Sequence, residues 1–277
     1  MAKKNENEMS FLEHLEVLRW HIIRALMAIL AVAILAFIFK DIVFDRIILA
    51  PKTPEFITNR LLCEFGHLIN VPRLCINSRP LDIISIKMAG QFSMHIMVSL
   101  IAGLVVAFPY VFFEFWRFIV PALYSKEKQH ARGAVFYSSA LFLIGVAFGY
   151  FMIVPLSVQF LGSYRVSDQV SNQINLISYV STISSVVLAS GIVFELPILM
   201  YFLTKAGLVT PKFLKKYRRH SLIVILALAA IITPPDIFSM VLVSLPLIGL
   251  YEAGIGISKR IVRKRAMKEK LEESEKT

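Results

Sequence analysis

The stretch VVLASGIVFELPILMYFL, residues 186–203, decides how the rest of the chain is read. It is almost unbroken apolar sequence with one carboxylate, Glu195, followed two residues later by Pro197. An ionised acid near the centre of a bilayer costs roughly 2.5–3.5 kcal/mol on insertion scales. The apolar neighbours can carry that cost, so the acid is tolerated and calls for a reason. At helical spacing back from Glu195 lie Gly191, Leu188, Ser184 and Ser181, a mostly small or hydroxylated stripe. Such a face predicts a groove, water or another helix beside Glu195 rather than lipid. Pro197 removes the helical partner of the carbonyl one turn earlier, near Val193. Two readings are open: a polar site in a membrane cavity, or a protonated acid bonded to a neighbouring helix as packing.

Composition makes the solvent a bilayer. Of 277 residues, 57% are hydrophobic and 18% charged, against roughly 45–50% and 25% in soluble domains. Mean hydropathy is +0.68. Apolar runs near the 20 residues needed to cross a bilayer occur at about His21–Phe39, Met88–Phe113, Ala134–Leu156 and Tyr179–Leu203. Two shorter runs come after them, Leu222–Ile232 and Ile237–Tyr251. The expected architecture is an all-α membrane protein of six transmembrane helices, the last two short. Residues 1–20 form a cytoplasmic segment, 21–257 the membrane domain with an external loop at about 40–87, and 258–277 a charged, solvated tail that could form a frayed helix. The first twenty residues are polar and mixed in charge, so they do not read as a cleaved signal peptide.

The formal net charge is +11, which in a soluble protein would raise nucleic-acid binding. The distribution gives another origin. Residues 1–24, 114–133, 204–220 and 258–277 hold 22 of the 30 Lys and Arg, all on one side of a six-helix topology. The positive-inside rule puts that side, and both termini, in the cytoplasm. Nucleic acid is therefore not expected as a partner, and membrane lipid is.

Other signals are individually weak. The second run closes on Glu114, Trp116, Arg117 and Tyr124, and those aromatics also fit an interfacial belt. Glu13 and Glu16 share a face before the first helix. Cys63 and Cys75 both lie in the external loop, either as a disulfide worth roughly 3 kcal/mol on the chain-entropy model or as two free thiols. No metal-ligand spacing, P-loop, G-x-S-x-G or H-E-x-x-H motif occurs, so neither cofactor nor enzymatic activity is expected. A proton- or ion-coupled secondary transporter using Glu195 is the alternative. The absence of an internal repeat counts against it.

Four stretches together resemble the TatC family, the multi-spanning core of the twin-arginine protein translocase. They are SFLEHLEVLR (10–19), FPYVFFEFWRFIVPALYSKEK (108–128), FELP (194–197) and TPPDIFS (233–239). The resemblance runs from about Ser10 to Arg260. It implies a curved, glove-like wall of helices in the bacterial cytoplasmic membrane. It also implies a receptor for Arg-Arg signal peptides, working with TatA- and TatB-type single-span partners, with room for several copies of the chain in one complex. The implied signal-peptide residues are Glu13, Glu16, Arg19, Phe118 and Glu127. The implied polar partner site is Glu195 with Pro197, Thr233 and Asp236. Pro51, Pro109 and Tyr150 fall on further family positions. One departure matters: the family motif H-L-x-E-L-R has Val17 in its acidic place here. Either Glu16 serves from about 100° round the helix, or Glu127 works with Glu13.

Overall fold

The computed structural model describes residues 11–78, 81–119, 131–167, 169, 172–233 and 237–274. The described residues form ten α-helices: α1 (Phe11–Ile38), α2 (Ile57–Leu68), α3 (Gly90–Ile119), α4 (Ala131–Phe148), α5 (Val154–Ser163), α6 (Leu176–Val193), α7 (Leu196–Lys205), α8 (Pro211–Lys216), α9 (Arg218–Ile232) and α10 (Ile237–Ser274). Among the described residues, five stretches are long and apolar enough to cross a membrane: Leu15–Ile38, Gly90–Phe118, Gly133–Ser163, Leu176–Lys205 and Met240–Met267. The fifth apolar run does form a helix, α9, but at 15 residues it falls short of that length.

The sixth helix is not short. The run Ile237–Tyr251 is only the first part of α10, which continues for 38 residues, about 57 Å. The apolar pattern stops at Glu252, whose carboxylate meets Arg218 of α9 at 2.5 Å, and the helix runs on past it. The charged tail is accordingly helical through Ser274.

Contacts divide the chain into two compact units, Met1–Val43 with His95–Ala140, and Phe44–Met94 with Leu141–Thr277. In the first, α1 runs antiparallel to α3. Three contacts set the register. The Phe37 ring stacks on His95 at 3.9 Å, Gly103 lies against Ile29 and Ala33, and His21 meets Glu114. A Cβ on Gly103 would come 2.6 Å from the Ile29 carbonyl oxygen, so only glycine allows this approach.

In the second unit the expected external loop is folded. A π-helical turn (Ile42–Ile48) and a 3-10 turn (Ala50–Lys52) lead into α2. Cys63 in α2 is disulfide-bonded to Cys75. Strand β1 (Ile83–Ile84) pairs in parallel with β2 (Ile174–Asn175), Ile83 opposite Ile174. Asn175 then caps α6, its Oδ1 accepting from Ile177 N at 2.9 Å.

The third apolar run keeps its helical path but changes pitch. A π-helical turn, Gly149–Ile153, separates α4 from α5. The fourth run breaks as Pro197 requires: α6 ends at Val193 and α7 begins at Leu196, with the proline in its first turn. Helix α7 ends on Gly207, whose φ of +78° is the left-handed conformation that closes many helices. Thr204 Oγ1 donates to Ser258 Oγ at 2.8 Å, tying α7 to α10. Tyr251 OH donates to the Leu214 carbonyl at 2.9 Å, tying α8 to the same helix.

Candidate functional site

Glu195 occupies the turn between α6 and α7, half-buried, at the N-cap of α7. Its N–H reaches the Ile192 carbonyl at 3.1 Å, and its own carbonyl accepts from Leu199 at 3.0 Å. The helix axis is thus interrupted where the acid sits, and Pro197 beside it is buried. The stripe leading to Glu195 is packed rather than open at its near end. Gly191 is buried, and a Cβ there would come 2.7 Å from the Phe142 ring. Ser184 is 4% exposed. Another helix, α4, therefore covers part of the face predicted for a groove, water or a helix.

At the start of α1, Glu16, Val17 and Arg19 are all exposed. Glu16 offers a carboxylate and Arg19 a guanidinium on the exposed surface just before the buried His21. Phe118 is half-buried, its edge toward the His21 ring at 6.2 Å. Glu127 and Asp236 lie outside the described residues, as does the side chain of Glu13. Thr233 is 6% exposed and closes α9, its hydroxyl donating to Ala229 O at 2.9 Å.

Sequence reasoning singled out Glu114 only weakly and passed over His21. The carboxylate of Glu114, 2% exposed, accepts from His21 Nδ1 at 2.5 Å and from Tyr110 OH at 2.9 Å. Arg24 Nη1 stands 3.8 Å away. Pro109 precedes Tyr110 inside α3. One basic and one acidic residue in two separate apolar runs were the available signal. Their pairing, 93 positions apart, carries no periodicity to reveal it.

A second polar hub was also missed. Asn59 and Asn77 are 1% and 3% exposed. Asn77 Nδ2 donates to Pro155 O at 3.0 Å and to Asn59 Oδ1 at 3.3 Å. Asn59 Nδ2 donates to the Pro51 and Thr53 carbonyls at 3.1 and 2.7 Å. Tyr150 OH donates to Ile47 O at 2.7 Å, and Tyr179 OH to Ile48 O at 3.0 Å. Pro51 and Tyr150 therefore serve the same function, holding the loop segment down on the helices beneath it. Cys63, His67 and Cys75 bring their donor atoms within 4.8 Å of one another. The disulfide engages both sulfurs, so this cluster offers no thiolate pair to a metal.

Long apolar helices, a buried carboxylate cluster and an acid at a helix break define a helical, multi-pass membrane protein. The family described as Sec-independent protein translocase protein (TatC) matches residues 13–246, and the chain belongs to that family. It is a component of a protein translocase and not an enzyme. The protein of that name from Blattabacterium sp. subsp. Periplaneta americana (strain BPLAN) is 39% identical over 265 residues, covering 95% of this chain and 100% of the relative. The one from Aquifex aeolicus (strain VF5) is 32% identical over 258 residues, covering 93% and 98%. Two crystal structures of the twin-arginine translocase receptor TatC, one in DDM, superimpose with TM-scores of 0.66 and 0.68. They are 31% and 32% identical and cover 89% of this chain and 98% and 99% of theirs. Family membership replaces the transporter alternative.

Proposed function

We propose that this chain is the receptor core of a twin-arginine translocation system in the bacterial cytoplasmic membrane. It binds Arg-Arg signal peptides of folded precursors at its cytoplasmic face and exports them together with TatA- and TatB-type single-span proteins. The match to solved twin-arginine translocase receptors over almost their full length carries this reading. In it, six helices span a curved, glove-like wall, with α9 as the short fifth. Both termini face the cytoplasm, as the clustering of 22 of 30 basic residues supports. Several copies of the chain fit one complex.

Recognition rests on carboxylates. Two adjacent arginines present planar guanidinium forks, and a bidentate carboxylate pair answers them in geometry as well as charge. Glu16, exposed at the start of α1, takes the place left by Val17. Glu127 and Glu13 are its partners, with Arg19 and Phe118 framing the site. Glu195 with Pro197, Thr233 and Asp236 forms the intramembrane contact for a polar partner helix.

Labelled signal peptides titrated onto the protein in nanodiscs test this. Glu16→Ala and Glu127→Ala should each weaken an Arg-Arg peptide about tenfold. A Lys-Lys peptide keeps the charge but lacks the fork, and should change little. Equal losses for both peptides would leave only a diffuse field, and no loss for either would refute the site.

A further inference from the structure

Helix α2 has three unlike sides. Asn59 and Gly66 are buried and mark the side that rests on the fold. Opposite them, at 100° per residue, Ile57, Leu61, Phe65 and Leu68 fall within about 80° of arc. Each of these four is more than half exposed. Arg60, Glu64 and His67 occupy about 60° beside that flank and are exposed too. Arg60 Nε lies 3.7 Å from Glu64 Oε1, so the charges of this second flank are neighbours along it.

The helix is held at the end of the fourth apolar stretch. Asn59 ties it to the Pro51 carbonyl, and Ile48 just before accepts from Tyr179, one turn inside α6. Its first turn touches the third stretch: Thr58 donates to Phe151 O, and the Phe56 ring stacks on Phe151 at 5.7 Å. Its later turns rest on their own segment, Gly66 against Val71 and Leu74, and Cys63 bonded to Cys75. Thr58 stands between the buried side and the apolar flank. That flank therefore adjoins Phe151 and Met152, which are themselves exposed. The polar flank adjoins Cys63 and the disulfide. In water, the four large apolar side chains would form an uncovered patch. In hydrocarbon, Arg60 and Glu64 would lose their water. Only a boundary that runs along the helix suits both flanks.

We infer that α2 lies along the membrane surface and docks on lipid. Ile57, Leu61, Phe65 and Leu68 sink between acyl chains just below the headgroups, the depth at which amphipathic helices settle. Arg60, Glu64 and His67 stay among headgroups and water. The flank continues the exposed apolar surface of the third stretch at Phe151 and Met152 onto the segment between α1 and α3. A partner helix suits it poorly. Helix interfaces in membranes favour small residues and groups that hydrogen-bond across, and this flank offers neither. Acyl chains mould to a convex row of large side chains. The inference holds in either leaflet and needs no signal peptide, so it and the proposed function can fail separately.

The test uses the full chain in nanodiscs of phosphatidylcholine brominated near the headgroup end of one acyl chain, which quenches tryptophans within its reach. Trp20 and Trp116 of the parent set the baseline. The fluorescence added by Leu61→Trp should be quenched about twofold or more strongly than that added by Arg60→Trp. Iodide in the water should rank the two variants in the opposite order. Leu68→Trp, on the same flank, serves if Leu61→Trp does not fold. Leu61→Glu with Phe65→Glu should speed amide exchange across Ile57–Leu68 severalfold and leave that of α6 unchanged. Equal bromine quenching at positions 60 and 61, or unchanged exchange in the double variant, would overturn the inference. Leu61→Trp open to iodide and indifferent to bromine would put the flank in water and overturn it. Protection from both quenchers would mean that a protein, a partner or a second copy of this chain, covers the flank, and would overturn the lipid.

Discussion

His21 Nδ1 lies 2.5 Å from Glu114 Oε2, with the two residues 8% and 2% exposed. The carboxylate also takes the Tyr110 hydroxyl, so it acts as acceptor and Nδ1 carries the proton. Glu114→Ala strands the buried His21 donor, and the exposed Tyr110 hydroxyl loses its acceptor, so it should cost about 3 kcal/mol. Glu114→Gln keeps an acceptor oxygen and should cost less than half of that. The double variant His21→Phe, Glu114→Leu should cost less than the single changes His21→Phe and Glu114→Leu added together, because it leaves no orphaned partner. Thermal unfolding in detergent, read as a double-mutant cycle, measures this. Additive costs would show that the pair is not coupled.

Asn77 is held in the left-handed region, φ 50°, while its side chain serves as the hub above α5. The two roles separate by substitution. Asn77→Gly keeps the backbone free and loses only the side-chain bonds, about 2 kcal/mol. Asn77→Ala loses the same bonds and adds the left-handed penalty, roughly 1 kcal/mol more. Glycine should therefore unfold at the higher temperature of the two. The reverse order would mean that side-chain bulk, and not backbone conformation, matters at this position.

Much of this was legible in the sequence, and for a physical reason. Apolar periodicity reports elements that face one uniform environment, so the apolar runs and the break at Pro197 were visible. The motif stretches around Glu16, Glu114 and Glu195 carried the family. Polar pairing is not periodic. His21 with Glu114, Asn59 with Asn77 and Arg218 with Glu252 join distant positions, and nothing local announces them. The sixth helix was misjudged because hydropathy marks where an apolar run ends, at Glu252, and not where a helix ends.

Gly145 and Gly191 should tolerate no side chain. Each would place a Cβ 2.7 Å from a neighbour, and at Gly145 one neighbour is the Ser190 backbone oxygen. Backbone cannot swing aside, so Gly145→Ala should cost about 1–3 kcal/mol. At Gly191 the obstacle is the ring of Phe142, which is 2% exposed. The variant Gly191→Ala with Phe142→Leu should recover part of the loss, while no side-chain change rescues Gly145→Ala. Melting temperatures of these variants and the parent decide it.

The Cys63–Cys75 bond closes a short loop, its ends 12 positions apart. Cross-links of that span are worth about 3 kcal/mol in the chain-entropy model. Reduction, or Cys63→Ser with Cys75→Ser, should lower the melting temperature and speed proteolysis between Leu68 and Cys75 first. The hydrogen bonds of Asn59 and Asn77 do not depend on the bond, so cleavage elsewhere should be little changed. Uniformly faster proteolysis would show that the disulfide supports the whole segment.

Glu195 stands at a break in the fourth apolar stretch, and two readings of it give opposite results. If the carboxylate only packs the turn between α6 and α7, Glu195→Ala should lower stability and leave export per folded molecule unchanged. If it presents a polar contact to a partner helix, the alanine variant should insert in normal amount, because removing an intramembrane acid lowers the cost of insertion. Export should then fall sharply. Glu195→Gln should fall less, since an amide still offers hydrogen bonds. We expect the second pattern: the residue keeps part of its surface exposed although its Oε1 is buried, and the interrupted helix leaves it at a turn. Membrane abundance and transport of a folded Arg-Arg precursor, measured on the same vesicles, separate the two. Normal export by the alanine variant would remove the partner contact and leave Glu195 a packing residue.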